Sequence, residues 1–300
     1  MRLGVAVPVI DAEVGGDPGA IREFAQVAEE IGYQDLSVPD HVLGVNVASR
    51  SGWGDRNTSA DLFQDPFVLF GFLAGCTKKI GFSTQVLILA QRQTVLVAKQ
   101  AACLDVLCNH RFRLGVGVGW NETEFVGLNE DFHNRGRRSE EQVQVMQALW
   151  AEPHVTFKGK WHTIDDAGIN PLPISRSIPI WFGGHADVTL RRVAKSGAGW
   201  MPLSYPPGDE AKAAIDKLHA YTAAEGRDPS SIGIDTRVTV GLGDVAAWRE
   251  TVRVWKSIGV TDLTLATYSG RGHLRRIEGR TLAHHLTAIR RYWDAIADLL

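Results

Sequence analysis

The sequence predicts an α/β fold, a (β/α)8 TIM barrel with long insertions after its second strand and before its fifth strand. Strand-like and helix-like segments alternate eight times along the 300 residues, about 37 residues for each unit. Few predicted strands alternate apolar with polar residues, so both sheet faces are expected to be buried. A doubly wound sheet is the alternative, but it needs a crossover pattern that the sequence does not show. No linker or composition shift marks a second domain, so residues 1–300 are predicted to form one domain.

The eight predicted strands are short apolar segments bounded by polar or glycine-containing turns. In chain order they cover residues 3–9, 35–40, 80–89, 113–119, 178–182, 199–203, 233–240 and 262–267. The two insertions are a polar loop at 43–64 and a proline-containing segment at 151–177. Because the loops that follow the strands carry the chemistry in such barrels, the first insertion is expected to lie beside the site.

The predicted helices begin at capping residues and carry apolar side chains at helical spacing. They cover residues 17–32, 65–75, 94–107, 138–150, 187–196, 209–224, 244–257 and 281–300. Asp17 and Asp65 each precede a proline, the pattern of a capping residue followed by the first helical position. Gly32 is a typical helix end. In the third helix, Leu96 belongs to the side predicted to face the core.

Composition and charge exclude several function classes. The net charge is −2, and the basic segment 135–138 is too short to predict a nucleic-acid partner. No apolar run reaches membrane-spanning length, and the N-terminus turns polar at Asp11, so a cytoplasmic protein is expected. Cys76, Cys103 and Cys108 lack metal-binding spacing and the histidines are dispersed, so no metal is predicted.

The segment around the fourth strand contains an unusual repeat of glycines. Gly115, Gly117 and Gly119 alternate with apolar residues, so all three are predicted on one face of the strand. Glycine in a strand interior often marks the close approach of another group. One interpretation is a flat ligand ring lying on this face, and the other is a bulge or a tight barrel layer filled by neighbouring residues.

Two further motifs stand at predicted strand ends. Asp40 and His41 end the second strand, where the neutral-range pKa of a histidine suits proton transfer. The alternative is that His41 only closes the barrel rim and Asp40 caps the loop. Gly183, Gly184 and His185 join the fifth strand to a helix, and their backbone N–H groups form either a phosphate seat or an ordinary turn.

Two pairs of ionisable residues are interpreted as structural rather than functional. Glu122 and Glu124 follow the fourth strand and suggest the carboxylate pair of a glycosidase, but a solvated helix start explains them better. His284 and His285 lie on the terminal helix and are predicted at the surface. Neither a GxGxxG fingerprint nor a GxxxxGK[ST] loop is present, which argues against a Rossmann enzyme or a nucleotidase.

Taken together, these segments resemble the bacterial luciferase-like monooxygenase superfamily over nearly the whole chain. The block at 98–125 is similar to the signature of the family from its third helix to its fourth strand, and 178–184 resembles its fifth strand. Arg135-Gly136-Arg137 with Glu141 resembles the family pattern behind that block. The resemblance implies a barrel that binds a flavin-type ring, either FMN or the deazaflavin coenzyme F420, with its phosphate near the strand-five loop. It also implies a homodimer.

The resemblance assigns expected roles to individual residues. In the F420-dependent branch an Asp-His pair at the end of strand two contacts the ring and serves in proton transfer, which makes Asp40 and His41 the predicted catalytic residues. A strand-three bulge with a non-prolyl cis peptide bond backs the ring in these relatives, and by position it involves Gln85 and Val86. The predicted cofactor-binding residues are Asp40, His41, Gln85, Val86, Gly117, Gly119, Asn121, Gly183, Gly184 and His185.

The departures from the family pattern bear on the cofactor. Val118 stands where luciferase proper has an arginine for the FMN phosphate, which favours F420. Trp120 replaces a carboxylate, which argues against a sugar-phosphate dehydrogenase, and Arg92 is not followed by the usual His-Pro. The prediction is an F420-dependent oxidoreductase that transfers a hydride between the deazaflavin and a small organic substrate. The alternatives are an FMN-dependent two-component monooxygenase and a non-catalytic flavin-binding barrel.

Overall fold

The computed structural model describes residues 1–202, 205–241, 243–268 and 274–300. Within them the strands are β1 (Arg2–Ala6), β2 (Asp35–Val38), β3 (Gly81–Thr84), β4 (Leu87–Ile88), β5 (Phe112–Gly117), β6 (Val155–Lys158), β7 (Thr163–Ala167), β8 (Ile180–Gly183), β9 (Gly199–Met201), β10 (Gly233–Val238) and β11 (Asp262–Leu265). Leu203, the predicted end of the sixth strand, lies outside the described residues.

The main sheet closes into an eight-stranded parallel barrel, which confirms the predicted fold. Its order is β3-β2-β1-β11-β10-β9-β8-β5-β4, and β3 also pairs with β5. β3 and β4 are two halves of the third barrel strand, separated at Gln85 and Val86. The continuous strand predicted over 80–89 is therefore interrupted in its middle.

The helices surround the barrel strands. They are α1 (Ala12–Gly15), α2 (Pro18–Ile31), α3 (Pro66–Ala74), α4 (Thr94–Leu107), α5 (Glu122–Gly127), α6 (Arg135–Ala151), α7 (Asp187–Ser196), α8 (Asp209–Ala224), α9 (Val245–Ser257) and α10 (Leu282–Ile296). The predicted caps are confirmed, since Asp17 accepts a hydrogen bond from Gly19 N and Asp65 accepts one from Phe67 N. Within the described residues, none of these helices has the length and apolar character that a membrane crossing needs.

The two insertions have different structures. Residues 39–65 contain a short 3-10 helix, Val47–Ser49, and a single bridge between Val45 and Thr58. The second insertion contains an antiparallel hairpin of β6 and β7 outside the barrel. One core assignment is wrong: Leu96 on α4 is 51% exposed, because it lies on the outer side of its helix.

The amino-terminal ends of the barrel strands form what we call the floor. There Arg113 on β5 forms ion pairs with Asp235 and, at 2.9 Å, with Asp262, while Asp35 lies 3.9 Å away. Burial alone would lower the pKa of Arg113, but these carboxylates outweigh it and hold the pKa above its ordinary value. Burial raises the pKa of Asp235 to about 6 in spite of the attraction of Arg113. The floor is thus a compact, buried network of ion pairs around Arg113.

Candidate active site

The carboxyl ends of the barrel strands surround a cavity of about 470 Å³, which we call the mouth cavity. Residues following β1, β2, β5 and β11, a residue near the end of β10, and the first insertion line it. Among them are Asp11, His41, Phe63, Trp120, Arg237 and Tyr268. Because barrel enzymes carry their chemistry at this end, the mouth cavity is the candidate active site.

His41 lines the mouth cavity and is held by a carboxylate. Its Nδ1 atom lies 3.0 Å from Oε2 of Glu124, and its ring makes an edge contact with Phe63 at a centroid distance of 4.7 Å. The hydrogen bond at Nδ1 fixes the orientation of the imidazole. The other ring nitrogen, Nε2, is then the one that can exchange a proton with a ligand. This arrangement suits a group that accepts or donates a proton in the cavity.

Glu124 is a site residue that the sequence analysis interpreted wrongly. Its side chain is buried and accepts hydrogen bonds from Val42 N at 2.7 Å and from Asn57 Nδ2 at 3.1 Å, besides its contact with His41. Burial alone would raise the pKa of Glu124, but the hydrogen bonds from His41 and the backbone outweigh it and lower the pKa. The expected solvated helix start describes only the exposed Glu122.

Asp40, predicted as a catalytic residue together with His41, lies in a different environment. Its buried carboxylate accepts hydrogen bonds from Arg92 Nη2 at 2.6 Å and from Ile88 N at 2.9 Å. Arg92 in turn reaches Asp65, the cap of α3, at 2.9 Å. The structure therefore does not bring Asp40 together with His41, and Glu124 occupies the partner position.

The strand-three bulge is present where the resemblance placed it. The peptide bond between Gln85 and Val86 is cis, which confirms that prediction. A Cβ atom on Gly117 would lie 2.5 Å from Val86 Cγ2, and one on Gly183 would lie 2.6 Å from Val86 Cγ1. These two glycines thus leave room for the side chain of Val86.

The interpretation of the glycine repeat as one bare surface is wrong. Gly115 packs against the carbonyl of Thr84, while Gly119 lies beyond the end of β5 at φ +73° and packs against Ile88. Each missing side chain is replaced by a different protein neighbour, as the second interpretation expected. None of the three glycines lines the mouth cavity, so a ring does not lie on a common glycine face.

A column of polar side chains connects the floor to the mouth cavity. Asp235, paired with Arg113, accepts a hydrogen bond from Gln85 Nε2 at 2.8 Å. Above it, Arg237 donates from Nη2 to the backbone oxygen of Gln85 at 3.0 Å, and its Nε lies 3.5 Å from Gln85 Oε1. Gln85 is therefore buried inside the barrel, and Arg237 is the member of the column that lines the mouth cavity.

The remaining predicted cofactor residues lie at the ends of β5 and β8. Asn121 is buried and caps α5, but its Nδ2 group makes no hydrogen bond to any residue that the structure describes. Gly184 accepts a hydrogen bond from Trp200 Nε1 at 2.6 Å, and the exposed His185 lies 6.4 Å from Tyr205 between ring centroids. The loop of Gly183, Gly184 and His185 leads into α7, as the phosphate-seat interpretation requires.

His285 is buried behind Asp11 of the mouth cavity, contrary to the sequence prediction. His285 was expected at the surface, but it is fully buried, with its ring nitrogens 2.8 Å from Thr267 Oγ1 and 3.1 Å from Asp11 Oδ2. Asp11 also accepts a hydrogen bond from Arg276 at 3.0 Å. His285 lies on the inner side of the C-terminal helix α10, and Asp11 follows the first strand. The contact between them therefore joins the two ends of the chain.

Comparisons with known proteins identify what the chain resembles. The sequence profile of a family described as luciferase-like monooxygenase matches residues 1–300. An uncharacterized protein of Mycobacterium tuberculosis is 35% identical over 186 residues, a match that covers 59% of this chain and 63% of that protein. The chain thus spans less than two thirds of the length of that relative.

Two more proteins carry named activities. An FMNH2-dependent dimethylsulfone monooxygenase of Pseudomonas putida is 26% identical over 226 residues, which cover 74% of this chain and 59% of that one. Among solved structures, an F420-dependent secondary alcohol dehydrogenase in complex with an F420-acetone adduct matches with a TM-score of 0.75 over 98% of each chain, at 19% identity. At that identity the likeness shows a common fold.

Proposed function

Because the chain belongs to the luciferase-like monooxygenase family and is therefore a flavin- or deazaflavin-dependent oxidoreductase, we propose that its cofactor is coenzyme F420. In this proposal the enzyme transfers a hydride between the deazaflavin and a small organic substrate. The observation that carries it is His41, which is held by Glu124 and lines the mouth cavity, where Arg237 also contacts the cis-bonded Gln85.

The described residues fit a planar heterocycle with a phosphate-bearing side chain. The buried Nδ2 donor of Asn121 lacks a partner among the described residues, and a ring carbonyl is an acceptor of the kind it needs. The loop after Gly183 leads into the N-terminus of α7, a type of site that holds phosphates. Val118 adds no positive charge beside that loop, which supports F420 over FMN.

His41 handles the proton that accompanies hydride transfer. When bound, coenzyme F420 supplies the hydride acceptor or donor. A substrate alcohol that becomes a carbonyl loses one hydride and one hydroxyl proton, and Nε2 of His41 accepts that proton. Glu124 holds the imidazole at Nδ1 and stabilises the imidazolium that forms, so Glu124 is a positioning residue.

The first insertion acts as a lid that excludes water from the mouth cavity. Asn57 ties it to Glu124 at 3.1 Å, and a bond from Asn57 to the Leu43 backbone at 3.0 Å holds the insertion itself together. Trp53 lies 5.6 Å from Trp120 between ring centroids, so the lid is continuous with the wall of the site. Exclusion of water strengthens the electrostatic interaction between His41 and Glu124.

The second candidate is an FMN-dependent monooxygenase. It is favoured by the similarity to the FMNH2-dependent enzyme of Pseudomonas putida. In that case bound, reduced FMN would supply the activation of dioxygen, chemistry that a deazaflavin supplies poorly because carbon replaces its N5 atom.

A parallel titration with F420 and FMN tests the cofactor assignment. Purified protein is titrated with each cofactor while cofactor fluorescence is followed. We expect F420 to bind at least about tenfold more tightly than FMN, a difference of roughly 1.4 kcal/mol. Preferential binding of FMN, together with oxygen consumption by the FMNH2-loaded protein, would establish the second candidate instead.

We also propose that the protein is a homodimer that uses the outer faces of α3 and α4. Val68 on α3 is 71% exposed and Leu96 on the adjacent α4 is 51% exposed, and Phe72 and Leu107 extend the same apolar character. Large exposed apolar areas mark interaction surfaces. Light scattering is expected to give twice the chain mass for the wild type and a single chain mass for Val68→Asp with Leu96→Asp.

A further inference from the structure

More arginine than acidic side chains line the mouth cavity. Four arginines line it, against three aspartates: Arg56, Arg237, Arg276 and Arg280, with Asp11, Asp55 and Asp61. A cavity with low-dielectric walls and excess positive charge concentrates anions. The question is which arginine has a side chain available to bind one.

Two of these arginines have partners within the protein. Arg276 donates to both carboxylate oxygens of Asp11, at 3.0 and 3.1 Å, and Asp11 is held from behind by His285. Arg56 lies over the ring of Trp120 at 4.7 Å from its centroid. Arg280 is exposed at the outer edge of the cavity.

Arg237 differs from the others because it is half-buried and has no carboxylate partner among the described residues. Its hydrogen bonds go to the two oxygens of Gln85, both neutral, and its charge also acts on the neighbouring Tyr268 hydroxyl. Its Nη1 group makes no hydrogen bond within the described part of the chain. Asp235, two residues earlier on β10, is occupied by Arg113, Gln85 and Thr264. A half-buried guanidinium in this state is stabilised by an anion that enters the cavity.

We propose that Arg237 binds a carboxylate of the substrate, so that the enzyme acts on small carboxylic acids with an apolar body. The proposal rests on the proposed function and narrows its substrate class. The planar fork of a guanidinium matches the two oxygens of a carboxylate, and charge-assisted hydrogen bonds of this kind are the strong ones. The two oxygens of Gln85 fix the guanidinium beforehand, which reduces the entropy lost on binding.

The rest of the cavity wall determines the kind of molecule that carries the carboxylate. Phe63, Trp120 and Tyr268 give the cavity aromatic surfaces. His41 lines the same cavity, so a substrate anchored at Arg237 lies in the space that His41 also faces. A cavity of about 470 Å³ suits a small molecule.

The test compares benzoate with benzamide, which have the same shape but differ in charge. Calorimetry measures the binding of each to the wild type, Arg237→Gln, Arg237→Lys and the surface control Arg253→Gln, with and without saturating F420. Arg253 pairs with Glu250 on the exposed side of α9 and does not line the mouth cavity. We expect benzoate to bind the wild type and the control at least about tenfold more tightly than benzamide, and Arg237→Gln to lose that preference.

Each outcome bears on the proposal in a defined way. Arg237→Lys keeps the charge and is expected to recover part of the benzoate affinity, which separates loss of charge from loss of fold. Equal binding of benzoate and benzamide to the wild type would overturn the carboxylate site. If Arg237→Gln weakens F420 binding but leaves benzoate unaffected, Arg237 serves the cofactor and the proposal is wrong. Arginine-dependent benzoate binding without any F420 binding would refute the cofactor proposal alone.

Discussion

The two ends of the barrel contain the same kinds of ionisable residue in opposite arrangements. At the floor, Arg113 is surrounded by three carboxylates, and two of them also contact Arg2. At the mouth, Arg237 has only neutral oxygens as partners among the described residues, and Trp120 is 42% exposed. A buried ion-pair network couples the strands that carry its members, whereas a guanidinium in a cavity without a carboxylate partner is available for a ligand. The comparison predicts that floor substitutions act on stability and mouth substitutions act on activity.

The largest expected effect on stability comes from Arg113→Met at the floor. This change leaves Asp235, Asp35 and Asp262 close together without their shared cation. Breaking a buried ion pair by removal of one partner costs about 3–5 kcal/mol. Urea denaturation is expected to show a loss of this size in the free energy of unfolding.

The matched control for this substitution is Arg2→Gln. Arg2 contacts two of the same carboxylates, Asp35 at 2.7 Å and Asp262 at 3.4 Å, but its side chain is 55% exposed. Exposed ion pairs contribute less than about 1 kcal/mol. A loss as large as that of Arg113→Met would contradict the assignment of the stabilising interaction to the buried network.

His41→Ala sharpens the comparison from the other end of the barrel. Loss of the proton-transferring group is expected to lower turnover of an oxidised substrate by roughly 10²- to 10⁴-fold, with little change in the free energy of unfolding. Steady-state kinetics and urea denaturation on the same preparation measure both quantities.

His110→Ala is the matched control, because His110 forms a similar pair near the floor. Its Nδ1 atom lies 3.0 Å from Asp105, the same distance that separates His41 from Glu124, but it follows α4 on the side away from the mouth cavity. We expect unchanged turnover in His110→Ala. If both variants lose activity equally, position in the barrel is not what gives His41 its role.

The barrel and its caps follow from local patterns, which is why the sequence predicts them well. Strand and helix periods and the capping residues Asp17 and Asp65 depend on neighbours within a few positions. The cis bond between Gln85 and Val86 was predicted through family resemblance, since nothing in the local residues distinguishes this strand from a continuous one. Its presence interrupts the strand that periodicity alone had predicted.

The site was predicted less completely because its contacts join distant segments. Glu124 lies 83 positions after His41, and its spacing on a six-residue helix does not reveal that its side chain turns inward. Likewise, the glycines at 115 and 117 were recognised as positions of close approach, but the groups that approach them, Thr84 and Val86, come from another strand. The sequence does contain one signal for Glu124. It follows the fourth predicted strand, and so belongs to the same end of the barrel as His41, which follows the second.

The smallest expected effect is a difference in the pH dependence of stability between the two ends. The folded-state pKa of Glu124 is lowered from its ordinary 4.5, so its contribution to stability is present above that value and is lost as pH falls through the folded pKa. The pKa of Asp235 is raised from 3.8 to about 6, so its contribution is present below pH 3.8 and is lost as pH rises through about 6. As pH rises, the contribution of Glu124 at the mouth therefore increases stability, whereas the contribution of Asp235 at the floor decreases it.

Urea denaturation of Glu124→Gln and Asp235→Asn between about pH 3 and pH 8 measures these signs. Glu124→Gln is expected to lose stability less steeply than the wild type on the acid side, because a neutral side chain has no proton to bind. Asp235→Asn is expected to remove the decline in stability between about pH 4 and pH 6, because the folded state no longer holds a proton that the unfolded chain has released. The result would contradict this prediction if both substitutions changed the slope of unfolding free energy against pH in the same direction. In that case burial alone, and not the partners of each carboxylate, would set the direction of both pKa shifts.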